Sequence, residues 1–349
     1  MNLFALARSL IDIPSTTGAE TEVGHFLSSY LKSLNYRVEA QQVAEGRTNI
    51  IATTNAPPRV TLSTHMDTVP PHFSSREDDK YIHGRGACDA KGIIAAQIAA
   101  AEQLRAGGVA EIGLLFTVDE EAGSDGARAA NEHPLASSCG YLINGEPTDS
   151  KLAIGSKGSL RLRIKTEGRA AHSAYPEHGQ SAIDKLLDVL ADIRKSVWPT
   201  DEFFGETTCN IGTIKGGTRA NVVPAEAQAD IQIRLVTPAA RVKPLLETAV
   251  GGRAHLEYLS VAEPMSMLAV PGLAQCAVRF TTDIPYLTNW GAPLLVGPGS
   301  ILDAHTEHER IAKRELSEAV NLYARLVRTL LARAPREPQQ SKAEGGGEK

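Results

Sequence analysis

Only four of the 349 residues are cysteine, and aromatic residues make up 5%. Cys88, Cys139, Cys209 and Cys276 lie far apart and form no CxxC pair. That excludes a dense disulfide framework and suits reduced thiols in a cytoplasmic protein. The scarcity of aromatics leaves any core mostly aliphatic. No apolar run reaches the roughly 18–20 residues of a membrane span. Met1-Asn2-Leu3-Phe4-Ala5 carries no basic stretch ahead of a long apolar block, so no secretory signal is expected. An excess of basic residues is also missing: 36 Lys and Arg face 41 Asp and Glu, a net charge of −5. A non-specific nucleic-acid binder needs the opposite balance. What the chain does have is 42% hydrophobic residues, enough for a sizeable core. At about 150 residues per domain, its length allows two domains.

Apolar residues at helical spacing (Leu3, Leu6, Leu10, Ile11, then Val23, Phe26, Leu27, Tyr30, Leu31, Leu34) predict two opening helices. Short apolar runs follow at Val60–Thr64, Ile112–Val118, Tyr141–Ile143 and Pro293–Val296. An Ala-rich helix over Lys91–Arg105, stopped by Gly107-Gly108, lies between the first two. This is the pattern of an α/β sheet with parallel strands. The middle of the chain differs. Leu160, Leu162 and Ile164 alternate with Arg161, Arg163 and Lys165, and an amphipathic helix spans Ile183–Val197. More alternation covers Ala227–Leu235, and a second helix lies near Arg241–Ala249. The order strand–helix–strand–strand–helix–strand predicts a ferredoxin-like α+β unit inserted over 158–266. The larger domain then comprises 1–157 and 267–333. It closes with an amphipathic helix from Ile311 to Leu330, and a disordered tail is expected over 334–349.

The chemistry-bearing residues follow the buried runs. His65 and Asp67 come after the first, Asp119, Glu120 and Glu121 after the second, Glu146 after the third, and His305 after the fourth. Asp89 stands in the Gly-rich segment before the Ala-rich helix. Open α/β sheets place their sites beyond the carboxyl ends of the strands. So many carboxylates in one crevice repel one another, and a cation relieves the repulsion. Histidine and carboxylate together favour zinc or a similar divalent ion. Two His and three carboxylates exceed one tetrahedral site, and a shared carboxylate between two ions about 3.5–4 Å apart accounts for the count.

Ser63-Thr64-His65-Met66-Asp67, Gly84-Arg85-Gly86-Ala87-Cys88-Asp89-Ala90-Lys91-Gly92, Asp119-Glu120-Glu121-Ala122-Gly123-Ser124 and Gly145-Glu146-Pro147-Thr148 together resemble the M20 family of metallopeptidases and amidohydrolases. So do Gly168–Pro176, Gly217–Pro224 and Ala304–Glu309. The nearest resemblance is to the acetylornithine deacetylase / succinyl-diaminopimelate desuccinylase group. It implies a zinc-peptidase-like α/β catalytic domain with the inserted unit as lid and dimer contact. It also implies two divalent ions, zinc or cobalt. Asp89 would bridge them, with His65 and Glu146 completing one site and Glu121 and His305 the other. Asp67 would hold His65, and Glu120 would be the general base. His172 would meet the oxyanion, and Asn221 and Arg234 would bind the intermediate and the substrate carboxylate. The Asp89–Ala90 peptide would be cis. Thr288-Asn289 departs from the Thr-Asp or Ser-Asp common in the group. The expected activity is removal of an acyl group from an N-acyl amino acid in amino-acid biosynthesis. The alternative is a dipeptidase or carboxypeptidase acting on a short peptide. A cytoplasmic homodimer is expected, with neither nucleic-acid nor membrane partner.

Overall fold

The computed structural model describes residues 2–333; the tail expected over 334–349 lies outside them. The chain divides into two compact units. The first holds the residues up to Ser150, Tyr286–Pro293 and the described residues from Gly297 onward. The second holds Lys151–Pro285 and Leu294–Val296, and is wider than the 158–266 read from the sequence.

The first unit begins with α1 (Leu3–Asp12) and α2 (Thr21–Ser33). Leu6, Ala7, Leu10 and Ile11 bury one face of α1, and the Asn2 side chain caps it by accepting the Ala5 N–H at 3.1 Å. A hairpin of β1 (Arg37–Ala44) and β2 (Arg47–Thr53) follows, then β3 (Val60–His65), α3 (Lys91–Ala106), β4 (Ile112–Thr117), α4 (Asp125–Asn131) and β5 (Tyr141–Asn144). The strands lie in the order β1-β2-β4-β3-β5. β3 runs parallel to both β4 and β5, as the apolar runs predict, while β2 pairs antiparallel with β4. Every residue of β3 and β4 is buried, as expected of a sheet covered on both faces. α3 is buried along most of its length, and its run of alanines lets neighbouring elements approach closely.

In the second unit β6 (Leu152–Ser156) precedes β7 (Gly158–Glu167), α5 (Ala182–Lys195), β8 (Thr208–Gly216), β9 (Glu226–Leu235), α6 (Ala239–Val250) and β10 (His255–Ala262). The antiparallel sheet order β8-β9-β7-β10 is that of a ferredoxin-like unit. Leu160, Leu162, Ile164, Ile231 and Ile233 pack with Leu186, Leu190, Ile193, Val242 and Leu246. Each such aliphatic side chain contributes roughly 1.5–3 kcal/mol on burial. α5 stops at Lys195, two residues short of the expected end, and Val197 is 88% exposed.

The last helix of the first unit, α7 (Lys313–Leu331), packs on α3. Ile311, expected in this helix, instead lies in a short strand opposite Ile82. Its apolar side chain falls in phase with the helix's buried stripe, which is why spacing alone misplaces it. No helix among the described residues is long and apolar enough to cross a membrane.

Candidate metal centre

The sheet of the first unit brings five of the expected residues together. His65 ends β3, and its Nε2 lies 2.9 Å from Asp89 Oδ1 and 4.0 Å from Glu146 Oε1. His305 Nε2 lies 2.7 Å from Glu121 Oε1 and 3.3 Å from Asp89 Oδ2. Each oxygen of Asp89 thus faces a different imidazole, with His65 and Glu146 on one side and His305 and Glu121 on the other. Ligand atoms of His65, Asp89 and Glu121 lie within 4.8 Å of one another. The Asp89–Ala90 peptide is cis, as the resemblance implies. Gly297 lets the chain pass the backbone of Glu146, since a Cβ there would meet the Glu146 carbonyl oxygen at 2.5 Å. His305 itself adopts φ 63°, a left-handed conformation that costs energy outside glycine.

The electrostatics call for positive charge. Burial opposes a charge on His65, yet hydrogen bonds with Asp67 and Asp89 hold its pKa well above the usual imidazole value. Hydrogen bonds with Asp89 and then Glu121 push His305 up to about 10. Burial would raise Asp89, but His305 and His65 hold its carboxyl below the ordinary carboxylate range. A divalent cation held by these side chains would take the place of protons on the imidazoles. Imidazole and carboxylate donors, with no thiolate among them, fit zinc or cobalt. Cys88 is not a donor here. It is buried, its Sγ lies 3.3 Å from the Ser300 carbonyl oxygen, and burial pushes the thiol pKa well up.

Asp67 does more than the sequence suggests. Its carboxylate lies 3.5 Å from His65 Nδ1, while Nδ1 bonds the Asp67 main-chain oxygen at 3.0 Å. The same carboxylate accepts the N–H groups of Glu120 and Glu121, each at 3.1 Å, and the Thr17 hydroxyl at 2.8 Å. The chain turns past Val118. Asp119 takes φ 71°, and its main-chain oxygen accepts the N–H groups of Gly123 and Ser124 at 3.1 and 2.7 Å. Arg47 holds this turn, with Nη2 2.8 Å from Asp119 Oδ1 and Nε 2.7 Å from Glu20 Oε2. The turn carries both Glu120 and Glu121, each half-buried.

Sequence reasoning missed two residues. Glu309 is fully buried and binds the Arg85 guanidinium at 2.6 Å. Burial pushes its carboxyl upward, against the hydrogen bonds from Asp89 N–H and Arg85 that favour the charged form. Both residues sit inside recognised segments; Arg85 stands between Gly84 and Gly86, while Glu309, between His308 and Arg310, carries no such signal. Asn289 bonds locally, its N–H and side-chain amide both donating to Asn131.

The expected lid residues belong to the second unit. His172 is exposed and bridges to Val222, beside Asn221, whose carbonyl oxygen accepts the Ser173 N–H at 3.0 Å. His172 Nδ1 accepts the Ala174 N–H at 3.2 Å. Arg234 is half-buried on β9, its Nη1 has no hydrogen-bond partner, and burial lowers its pKa.

The pattern of peptidase family M20/M25/M40 matches residues 61–329, and the chain belongs to that family of metal-dependent hydrolases of peptide and amide bonds. It is 39% identical over 380 residues to a protein of Emericella nidulans named a probable carboxypeptidase, covering 94% of this chain and 89% of that one. It is 36% identical to a peptidase M20 domain-containing protein of Schizosaccharomyces pombe, covering 93% and 84%. Among solved structures, an M20 family metallo-carboxypeptidase from Sulfolobus solfataricus shares the fold with a TM-score of 0.76 at 15% identity, covering 95% of this chain and 99% of that chain. A dinuclear metal-binding M20 peptidase from Bacillus subtilis gives 0.70 at 15% identity, covering 94% and 97%.

Proposed function

We propose that this chain is a metal-dependent peptidase of carboxypeptidase type, cleaving a peptide bond next to a free carboxylate. The observation that carries hydrolysis is Asp89 standing between two His–carboxylate pairs. The relatives named probable carboxypeptidases support the peptidase reading over acetylornithine-type deacylation. His65, Asp89 and Glu146 would hold one divalent ion, and Asp89, Glu121 and His305 a second. Such ions lower the pKa of a bound water and polarise the scissile carbonyl. Glu120 takes the proton of the attacking water and returns it to the departing amine, which otherwise leaves poorly. Asp67 fixes the tautomer of His65 and the turn that carries Glu120. Contact of His172 and Asn221 with the oxyanion, and of Arg234 with the substrate carboxylate, completes the proposal.

We further propose zinc as the native ion, a cytoplasmic location, and a homodimer through the second unit. The exposed Ile214 on β8 and Leu187 on α5 support that interface.

The test is a panel assay with added zinc or cobalt. It uses N-blocked dipeptides with free or amidated C-termini, N-acetylornithine, N-acetyl-lysine and succinyl-diaminopimelate. Cleavage of the free-carboxylate dipeptides and not of their amides is expected. Turnover confined to the acylated amino acids would restore the deacylase reading, and cleavage of amides at equal rate would remove the carboxylate requirement.

A further inference from the structure

We infer that Glu309 is a positioning residue of the metal centre, its buried carboxylate fixing where Asp89 stands relative to His305. The inference rests on the metal reading above. Glu309 Oε1 accepts three main-chain N–H groups, from Gly86 at 2.9 Å and from Cys88 and Asp89 at 3.1 Å each. Its Oε2 accepts Arg85 Nη1 at 2.6 Å. Successive N–H groups converging on one oxygen form an anion-binding nest, here filled by the protein's own carboxylate. The main chain of Glu309 binds the same loop, because its carbonyl oxygen accepts the Gly84 N–H at 3.0 Å. The next residues, Arg310–Ala312, pair antiparallel with Tyr81–His83. Side chain and backbone together therefore bolt the segment carrying His305 onto the segment carrying Asp89. One of the bonds goes to the N–H of Asp89 itself, and Asp89 Oδ2 then lies 3.3 Å from His305 Nε2.

A buried Arg–Glu pair is often replaceable by apolar side chains with no loss of stability. Retaining a charge here has a separate physical reason. An apolar residue would leave three N–H groups and a guanidinium buried without their acceptor, free to re-aim the loop, and glutamine would keep one oxygen for the N–H groups while turning an NH2 group against the Arg85 guanidinium. Arg85 is itself confined, with Nε 3.2 Å from the Pro71 carbonyl oxygen and its guanidinium over the Phe73 ring.

The experiment uses the full chain, stripped of metal by chelation and titrated with cobalt(II). Calorimetry and the visible cobalt spectrum give affinity and geometry, and circular dichroism and thermal melting are run in parallel. The wild-type chain should take up cobalt, and Glu309→Gln should bind it roughly 10–100-fold more weakly with an altered spectrum, as loss of an outer partner of a ligand does. Phe73, Ser74, Arg76, His83 and Arg310 line a cleft of about 330 Å³ next to the buried Glu309. In Glu309→Ala, formate entering by that route should restore cobalt affinity. Leu330→Ala, on the buried face of α7, is the control for destabilisation alone and should keep wild-type affinity. A folded Glu309→Gln with affinity within twofold of wild type overturns the inference, as does an equal loss in Leu330→Ala. Arg85→Gln keeps the three N–H bonds and covers the case in which neither Glu309 variant folds. It should weaken cobalt binding by a smaller factor, and an unchanged affinity overturns the inference. A wild-type chain that takes up no cobalt overturns the metal reading, and this inference with it.

Discussion

The two units treat their functional polar groups in opposite ways. In the first, four of the expected ligands, His65, Asp89, Glu121 and His305, are already held by hydrogen bonds. His65 lies between Asp67 and Asp89, His305 touches Glu121, and the turn with Glu120 and Glu121 hangs from Asp67. In the second, His172 is exposed and Arg234 keeps a guanidinium nitrogen with no hydrogen-bond partner. Donors for a resident ion must stand in place before it arrives, because their mutual repulsion is otherwise unpaid. Groups that meet a transient substrate must stay open to it. Preorganisation is greater where the partner is permanent and smaller where the partner leaves.

The sharpest way to break this contrast is inside the first unit, where two neighbouring carboxylates have different tasks. Glu120→Gln keeps the turn, because Asp67 binds the main-chain N–H and not the side chain. Its kcat should fall roughly 10²–10⁴-fold, the usual loss of a general base, with metal content unchanged. Glu121→Gln removes the carboxylate 2.7 Å from His305 and should lose metal from one position. Rates and metal stoichiometry under zinc saturation check both. Near-normal kcat in Glu120→Gln, or parallel loss of metal, would reverse the assignment.

The contrast also explains what the sequence made legible. His65, Glu121 and Glu146 stand at or just after the ends of buried strands, so an apolar run followed by His or carboxylate marks them without any structure, whereas Asp89 and His305 lie in loops and are marked by their segments. The alternation at Leu160–Lys165 and Ala227–Leu235 marks the second unit equally well. The β1–β2 hairpin left no such trace, because Arg37–Ala44 is largely exposed and its polar residues follow no period. Arg85 and Glu309 were silent for another reason. They pair across 224 positions, and a buried ion pair has no periodicity to betray it. Arg47 is similar, since its partners Glu20 and Asp119 lie on separate segments.

In the second unit the test is to remove a group that has no internal partner to lose. Arg234→Met should raise KM for free-carboxylate substrates about 10–100-fold, the equivalent of a charge-assisted hydrogen bond of roughly 1.5–3 kcal/mol. Its kcat should change little, and amidated substrates should show no further loss. Circular dichroism should be unaltered, because Arg234 Nη1 binds nothing that the fold needs. A collapse of the fold would place Arg234 with the structural groups of the first unit.

The smallest expected effect separates stability from chemistry. Ser181 caps α5, its hydroxyl accepting the Asp184 N–H at 3.1 Å while its backbone stays extended at φ −74°, ψ 117°. Ser181→Ala orphans that N–H and should cost about 1 kcal/mol, the usual value of such a cap. Asp184 in the first turn still complements the helix dipole, so the helix should fray at its start rather than melt. Hydrogen exchange at the Asp184 amide should quicken by roughly fivefold, the factor that 1 kcal/mol sets. Ser181 shares no hydrogen bond with the metal-centre residues, so cobalt affinity should match wild type. If Ser181→Ala weakened metal binding as Glu309→Gln is expected to, the division of labour between the two units would be wrong, and helix stability in the second would be part of how the first holds its ions.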